Sequence, residues 1–175
     1  MSSNETRIPL AEAKNIATGV IEKLSPHCER IEIAGSIRRC KETVGDIEIV
    51  CIPKTEMGGL FGDEQEVSRG FLRAVIEWPA TKGSAEGRYT RRVLPGGVTL
   101  DLFIANPDNW GLIFAIRTGS ATYSHMVLAA GWVRRGFHSK DGMLHRRGEP
   151  VPTPEEENLF RKAGVRWIEP QFRTP

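Results

Sequence analysis

Long apolar runs are missing from this chain. No stretch of its 175 residues approaches the roughly 20 consecutive apolar positions a membrane span needs. The opening MSSNETRIPL lacks the basic-then-apolar order of a secretory signal. A cytoplasmic, nucleoid-associated or viral setting is therefore expected, with no secretion and no membrane partner. Cysteine is scarce: Cys28, Cys40 and Cys51 stand too far apart for a zinc site, and their odd number argues against a disulfide framework. Reduced thiols are the expectation. Internal repeats and low-complexity tracts are absent as well, which excludes solenoids and arrays.

What is there suits one domain or two small lobes. The length is enough to bury a sizeable interior, and 39% hydrophobic with 26% charged residues is ordinary for a globular chain. The net charge of +2 conceals an asymmetry, because residues 82–147 hold ten Lys/Arg against four Asp/Glu. A basic block in a near-neutral chain can track a phosphate backbone, and it can also be a solvated face.

Periodicity predicts an α+β chain. An apolar stripe of Leu10, Ala13, Ala17, Val20, Ile21 and Leu24 predicts a helix over 9–24 with Pro9 in its first turn. Residues 31–34 and 46–52 read as strands, and Gly35-Ser36 as a tight turn between them. A Gly-rich stretch over 58–62 leads to an expected helix near 64–77. Residues 89–94 and 98–104 form a hairpin around Pro95-Gly96-Gly97. Helices are expected over 109–116, 121–130 and 154–163, and a ribbon over 137–147. The division predicted is a sheet lobe, 1–105, and a smaller, mostly helical lobe, 106–175.

The segment 35–50, GSIRRCKETVGDIEIV, carries the chemistry. Alternate residues of a strand share a face, so Asp46 and Glu48 project together while Ile47 and Ile49 point into the opposite layer. Two carboxylates side by side repel unless a cation lies between them, and hard oxygen donors suit magnesium or manganese. Asp101, in TLDLFI, sits on another predicted strand. If that strand lies beside 46–52, the three carboxylates complete a cluster able to hold two ions about 3.5–4 Å apart, the arrangement used for in-line displacement at phosphorus. Gly35, Ser36 and Arg39 supply donors for phosphate oxygens. Each part alone is weak: a D-x-E is commonly the wet face of an edge strand, and a Gly-Ser pair is commonly only a turn. Their combination is far more specific.

That combination, a Gly-Ser turn and then Asp-h-Glu-h, where h is apolar, resembles the nucleotidyltransferase superfamily that includes DNA polymerase beta. The segments RIP at 7–9, GSIRRCKETVGDIEIV, LDLFI, RTGSATY at 117–123, GEPVPTPEEENLF and WIEPQFR follow the order found in family X DNA polymerases. The similarity runs from Arg7 to Arg173. It implies a polymerase beta-like palm with a mixed sheet and flanking helices, plus a C-terminal nucleotide-binding subdomain. It implies transfer of a nucleotide from a dNTP to a DNA 3′-hydroxyl at a primer, nick or gap, with two magnesium ions, or manganese in their place. Asp46, Glu48 and Asp101 take the places of the metal-binding carboxylates, and Asp101 neighbours the 3′-hydroxyl. Gly35, Ser36, Arg39 and Gly45 match residues that hold the triphosphate, and Arg7 one that reaches its distal phosphate. Gly119, followed by Ser120, matches the glycine that lies against sugar and base. Arg91, Arg92, Arg134, Arg135, Arg146 and Arg147, with Lys82, Arg88 and Lys140, are candidate DNA contacts. A monomer is expected.

Several positions depart from the family pattern. Glu48 replaces the usual Asp. Ile116 and Arg117 stand where an aromatic pair is common, which predicts weak discrimination between deoxyribose and ribose. Ser124 and Leu128 stand where relatives place polar or basic contacts to base and template. Val44 replaces a phosphate-binding Ser, and Thr99 an Arg beside the third carboxylate. Neither an N-terminal lyase domain nor a C-terminal phosphoesterase is expected. Two alternatives stay open: a transferase acting without a template on RNA ends, protein or a small molecule, and a non-catalytic nucleic-acid-binding module.

Overall fold

A computed structural model describes residues 7–58 and 64–174. In chain order its elements are β1 (Ile8–Pro9), α1 (Leu10–Leu24), β2 (Cys28–Ile33), α2 (Gly35–Arg38), β3 (Thr43–Val44), β4 (Ile47–Pro53), β5 (Thr55–Gly58), β6 (Glu64–Val67), α3 (Arg69–Ile76), β7 (Ala80–Gly83), β8 (Tyr89–Val93), β9 (Thr99–Ile104), α4 (Trp110–Thr118), α5 (Ala121–Tyr123), α6 (Ala130–Arg134), β10 (His138–Lys140), β11 (Met143–Arg146), β12 (Glu149–Val151) and α7 (Glu156–Ala163). The chain is α+β with a mixed sheet. No helix among the described residues is long and apolar enough to cross a membrane.

Contacts divide the chain into two compact units. One comprises the described residues of 1–33 and 42–104, the other 34–41 and those of 105–175. Residues 34–41 therefore group with the second unit rather than with the sheet lobe in which their sequence position places them. The reason is electrostatic: Arg38 is drawn to Thr118 and Glu156.

The first unit is built on a five-stranded sheet of order β2-β4-β9-β8-β7. β4 and β9 run parallel, and the other neighbours are antiparallel. α1 exists because Ala13, Ala17, Val20 and Leu24 recur at helical spacing, and all four are buried. α1 packs against β2, β4 and α3. The helix expected near 64–77 is shorter. Residues 64–67 pair instead with β5, and Ser68 then caps α3 by accepting from the Phe71 amide. The Gly-rich stretch predicted over 58–62 lies, from residue 59 on, outside the described residues. The hairpin between β8 and β9 closes through Gly96 and Gly97, both at positive φ, a conformation only glycine adopts freely.

The second unit packs α4, α6 and α7 with the antiparallel ribbon β10-β11-β12 around Leu112, Leu128, Trp132, Leu144, Leu159 and Phe160. The helix expected over 121–130 is interrupted. A π-helical stretch, Ser124–Ala129, joins α5 to α6. The wider turn rotates the following side chains relative to a regular helix. Ser124 is buried and donates to the Ile116 carbonyl at 2.8 Å, while Leu128 is fully buried. Both side chains are part of the interior.

Candidate active site

Strand parity and register build the site in the first unit. Asp46 immediately precedes β4, and Glu48 is two residues on, so both project from one face. Ile47 and Ile49 project from the other and are fully buried. In the parallel β4–β9 ladder Glu48 is the register partner of Asp101, and Ile47 and Ile49 are partners of Leu100 and Leu102. Adjacent strands lie about 4.8 Å apart. The three carboxylates thus stand on one sheet face, with an apolar layer on the other.

The antiparallel β8–β9 ladder adds two residues to that face. Tyr89 is opposite Phe103 and Arg91 is opposite Asp101. Arg91 grips Asp101 with two bonds, Nε to Oδ1 and Nη2 to Oδ2, each 2.7 Å. Its Nη2 also lies 3.8 Å from Asp46 Oδ2. The Tyr89 hydroxyl donates to Asp101 Oδ1 at 2.7 Å, and its ring stacks on Phe103. Burial works to raise the Asp101 pKa, but the Arg91 and Tyr89 hydrogen bonds outweigh it and hold the carboxyl below its ordinary value. Burial first, and then the bond to Asp101, pushes the Tyr89 phenol up.

The donor chemistry fits a hard divalent cation: three carboxylates, all oxygen, from neighbouring strands. Among the described residues, however, no three His, Cys, Asp or Glu side chains converge tightly enough to chelate one ion. A guanidinium already neutralises Asp101. With its side chain 39% exposed, Arg91 has room to swing toward solvent and release that carboxylate. Replacing Arg91 with Ala should therefore have two opposed effects. Stability at neutral pH falls by about 1–3 kcal/mol, because Asp101, only 6% exposed, keeps Tyr89 but loses its cation. Manganese binding tightens, because the competing cation is gone. Urea unfolding and calorimetric titration measure the two, and an unchanged manganese affinity would show that Arg91 does not compete.

The same register separates the two adjacent arginines. Arg92 is opposite Leu100, on the apolar face, and is buried. Its guanidinium donates to Thr90 Oγ1 and to the Trp78 carbonyl. It cannot reach a DNA backbone, and Arg91 serves Asp101. Neither is carried forward as a DNA contact. Arg7 is exposed and anchored on Thr43, by Nε to Oγ1 at 3.0 Å and Nη2 to the carbonyl at 2.7 Å. Gly45 is half-buried directly before Asp46. Tyr89 had no role in the sequence reading. Its signal was parity with Arg91, which becomes useful only once the β8–β9 register is known.

The remaining candidates lie in the second unit. Gly35 and Ser36 open the short helix α2, and Gly35 sits at φ 60°. Arg39 donates to the Thr118 carbonyl at 2.6 Å and to Ser36 Oγ at 3.3 Å. Gly119 ends α4, where a Cβ would come within 2.7 Å of Ser124 Oγ. Ser120 caps the next turn by accepting from the Tyr123 amide, and its own amide donates to the Arg173 carbonyl. Arg134, Arg135, Arg146 and Arg147 are exposed. A buried network missed by the sequence reading centres on Glu156. Its carboxylate takes two bonds from Arg38, at 2.8 and 2.9 Å, and two from Arg173, at 2.6 and 3.2 Å.

Compared with models of known protein families and with curated proteins, the chain matches none.

Proposed function

We propose that this chain is a nucleotidyltransferase of the family X DNA polymerase type, transferring dNMP from a dNTP to a DNA 3′-hydroxyl at a nick or gap. The observation that carries the reading is the shared sheet face of Asp46, Glu48 and Asp101, fixed by parity within β4 and by the β4–β9 register.

Asp46, Glu48 and Asp101 would hold magnesium or manganese, which would lower the pKa of the attacking hydroxyl and neutralise charge on the triphosphate. The chain's own residues position and polarise. Tyr89 holds the Asp101 carboxylate in one orientation, as a supported site requires, and Arg91 neutralises that carboxylate until a cation takes its place. By resemblance Asp101 lies beside the 3′-hydroxyl and accepts its proton. The 3′-oxygen forms a bond to the α-phosphorus, the bond from that phosphorus to the bridging oxygen breaks, and pyrophosphate leaves. Arg7, Gly35, Ser36, Arg39 and Gly45 are assigned to the triphosphate, and Gly119 and Ser120 to its sugar and base. No covalent intermediate is needed, because positioning and charge suffice for phosphoryl transfer.

Primer extension on single-stranded, nicked and gapped DNA, with each metal and both sugar types, tests this reading. Extension of gapped DNA is expected, with a dNTP-over-rNTP preference well below a thousandfold, since Ile116 and Arg117 offer no aromatic barrier to a 2′-hydroxyl. Transfer only to RNA ends, protein or a small molecule would replace DNA as the acceptor. No transfer to any acceptor, with metal and nucleotide present, would overturn the proposal.

A further inference from the structure

The ribbon of the second unit sets two imidazoles side by side. Asp141 and Gly142 both take positive φ, at 52° and 77°, and so make the two-residue turn that an Asp-Gly pair favours. That turn fixes the β10–β11 register, with Lys140 opposite Met143, Ser139 opposite Leu144 and His138 opposite His145. Directly opposed residues have Cβ atoms about 4.5–5.5 Å apart. The two imidazole planes are 26° from parallel, and their centroids are 5.5 Å apart.

Parity decides which way the rings point. Leu144 is fully buried in the core of the unit, so its neighbour His145 projects from the opposite face of the ribbon, together with His138 and Met143. His138 is exposed and His145 half-buried. The Met143 carbonyl lies 3.4 Å from His145 Nδ1. A carbonyl only accepts, so Nδ1 carries the proton there and Nε2 keeps its lone pair. An imidazole oriented by a backbone carbonyl through one nitrogen, with the other nitrogen open, is the state in which histidine ligates metals. Ring stacking by itself requires no particular tautomer.

We infer that His138 and His145 form a binding site for a borderline transition-metal dication, divalent copper ahead of nickel or zinc. Each imidazole supplies one neutral nitrogen donor. At metal–nitrogen bonds of about 2.0–2.1 Å, a shared ion needs the two nitrogens roughly 3 Å apart. Modest side-chain rotation reaches that spacing from rings already 5.5 Å apart. Among the described residues no third His, Cys, Asp or Glu joins the pair, so water completes the coordination. Copper stands highest in the affinity order for such sites, and the Met143 thioether on the same face is a soft donor that also suits it. Lys140, opposite Met143, adds positive charge. An ion attracted mainly by charge, such as magnesium, is disfavoured beside it, whereas copper is held through nitrogen lone pairs. The bound ion joins β10 to β11 and stabilises the folded state. The site shares no residue with the carboxylate face and does not depend on the proposed function.

The test uses the full chain, titrated separately with copper, zinc and magnesium. Electron paramagnetic resonance of the copper-loaded chain is expected to show coupling to two nitrogens, a signature that carboxylate ligands do not give. His138→Phe and His145→Phe each keep a ring in the stack and remove a donor nitrogen. The metal-free melting temperature shows that each variant folds. Each is expected to weaken copper binding about tenfold or more, since even loss of a ligand's outer partner costs about 10–100-fold. Each should also lose the two-nitrogen signal and the copper-induced rise in melting temperature. His125→Phe should change none of these. Copper affinity and spectrum unchanged in both ribbon variants would overturn the inference, as would displacement of copper by excess magnesium. Primer extension does not enter these readouts, so failure of the proposed activity would leave the metal site standing, and failure of the metal site would leave the activity standing.

Discussion

Replacing Asp101 with Asn lowers kcat for nucleotide addition by about a thousandfold or more while leaving dNTP affinity within about threefold. The asymmetry follows from position. Asp101 is the most enclosed carboxylate of the set and the one assigned to the 3′-hydroxyl, whereas the triphosphate is assigned to residues elsewhere. Asn preserves volume and still accepts from the Tyr89 hydroxyl. Arg91 loses its closest partner, yet it keeps Asp46 nearby and solvent access. The variant should therefore fold, with a small change in melting temperature, so lost turnover reads as lost chemistry. Single-turnover extension with nucleotide-induced thermal shift separates the two. Retained turnover, or loss of nucleotide binding with turnover intact, would contradict the role given to Asp101.

The largest stability effect is expected at Glu156. Its carboxylate is the shared acceptor of Arg38 and of Arg173, whose side chain is 0% exposed. Removing one member of such a buried arrangement leaves uncompensated charge, which costs about 3–5 kcal/mol. That is a large share of the roughly 5–15 kcal/mol that stabilises an ordinary domain. Glu156→Ala should lower the urea midpoint accordingly, read by tryptophan fluorescence, because Trp110, Trp132 and Trp167 all lie in this unit. The pH dependence has a definite sign. Burial works to raise the Glu156 pKa, but the bonds from Arg38 and Arg173 prevail and hold it below 4.5, the value of an unperturbed glutamate. A depressed carboxylate stabilises the fold above the unfolded-state pKa and loses that contribution as pH falls through the folded value. Wild-type stability should thus decline below about pH 4.5, and the alanine variant should show a flatter decline there. Equal acid sensitivity in both would exclude Glu156 as a source.

Much of this was legible in the sequence, for reasons that differ by residue. α1 announced itself by four small or aliphatic residues at helical spacing. The common face of Asp46 and Glu48 followed from strand parity alone. The adjacency of β4 and β9 did not, because about fifty residues intervene and parallel register has no local signature. Parity also carried a warning about Arg91 and Arg92, since neighbours on a strand face opposite ways and both cannot reach one DNA backbone. The strand Glu64–Val67 was hidden inside an expected helix because its four residues, Glu-Gln-Glu-Val, gain strand pairing only from β5. The π-helical stretch was hidden because Ser124–Ala129 has the composition of a regular helix. The Glu156 network joins side chains 118 and 17 residues apart, beyond any periodic pattern.

The central claim is that Asp46, Glu48 and Asp101 act together as a seat for divalent cations beside the reacting groups. Manganese titration followed by electron paramagnetic resonance, with a non-hydrolysable dNTP present, tests it most directly. The wild-type chain should bind about two ions, and a variant carrying Asp46→Asn, Glu48→Gln and Asp101→Asn should lose the tight sites while remaining folded. Manganese stoichiometry and affinity unchanged by all three substitutions would contradict the account.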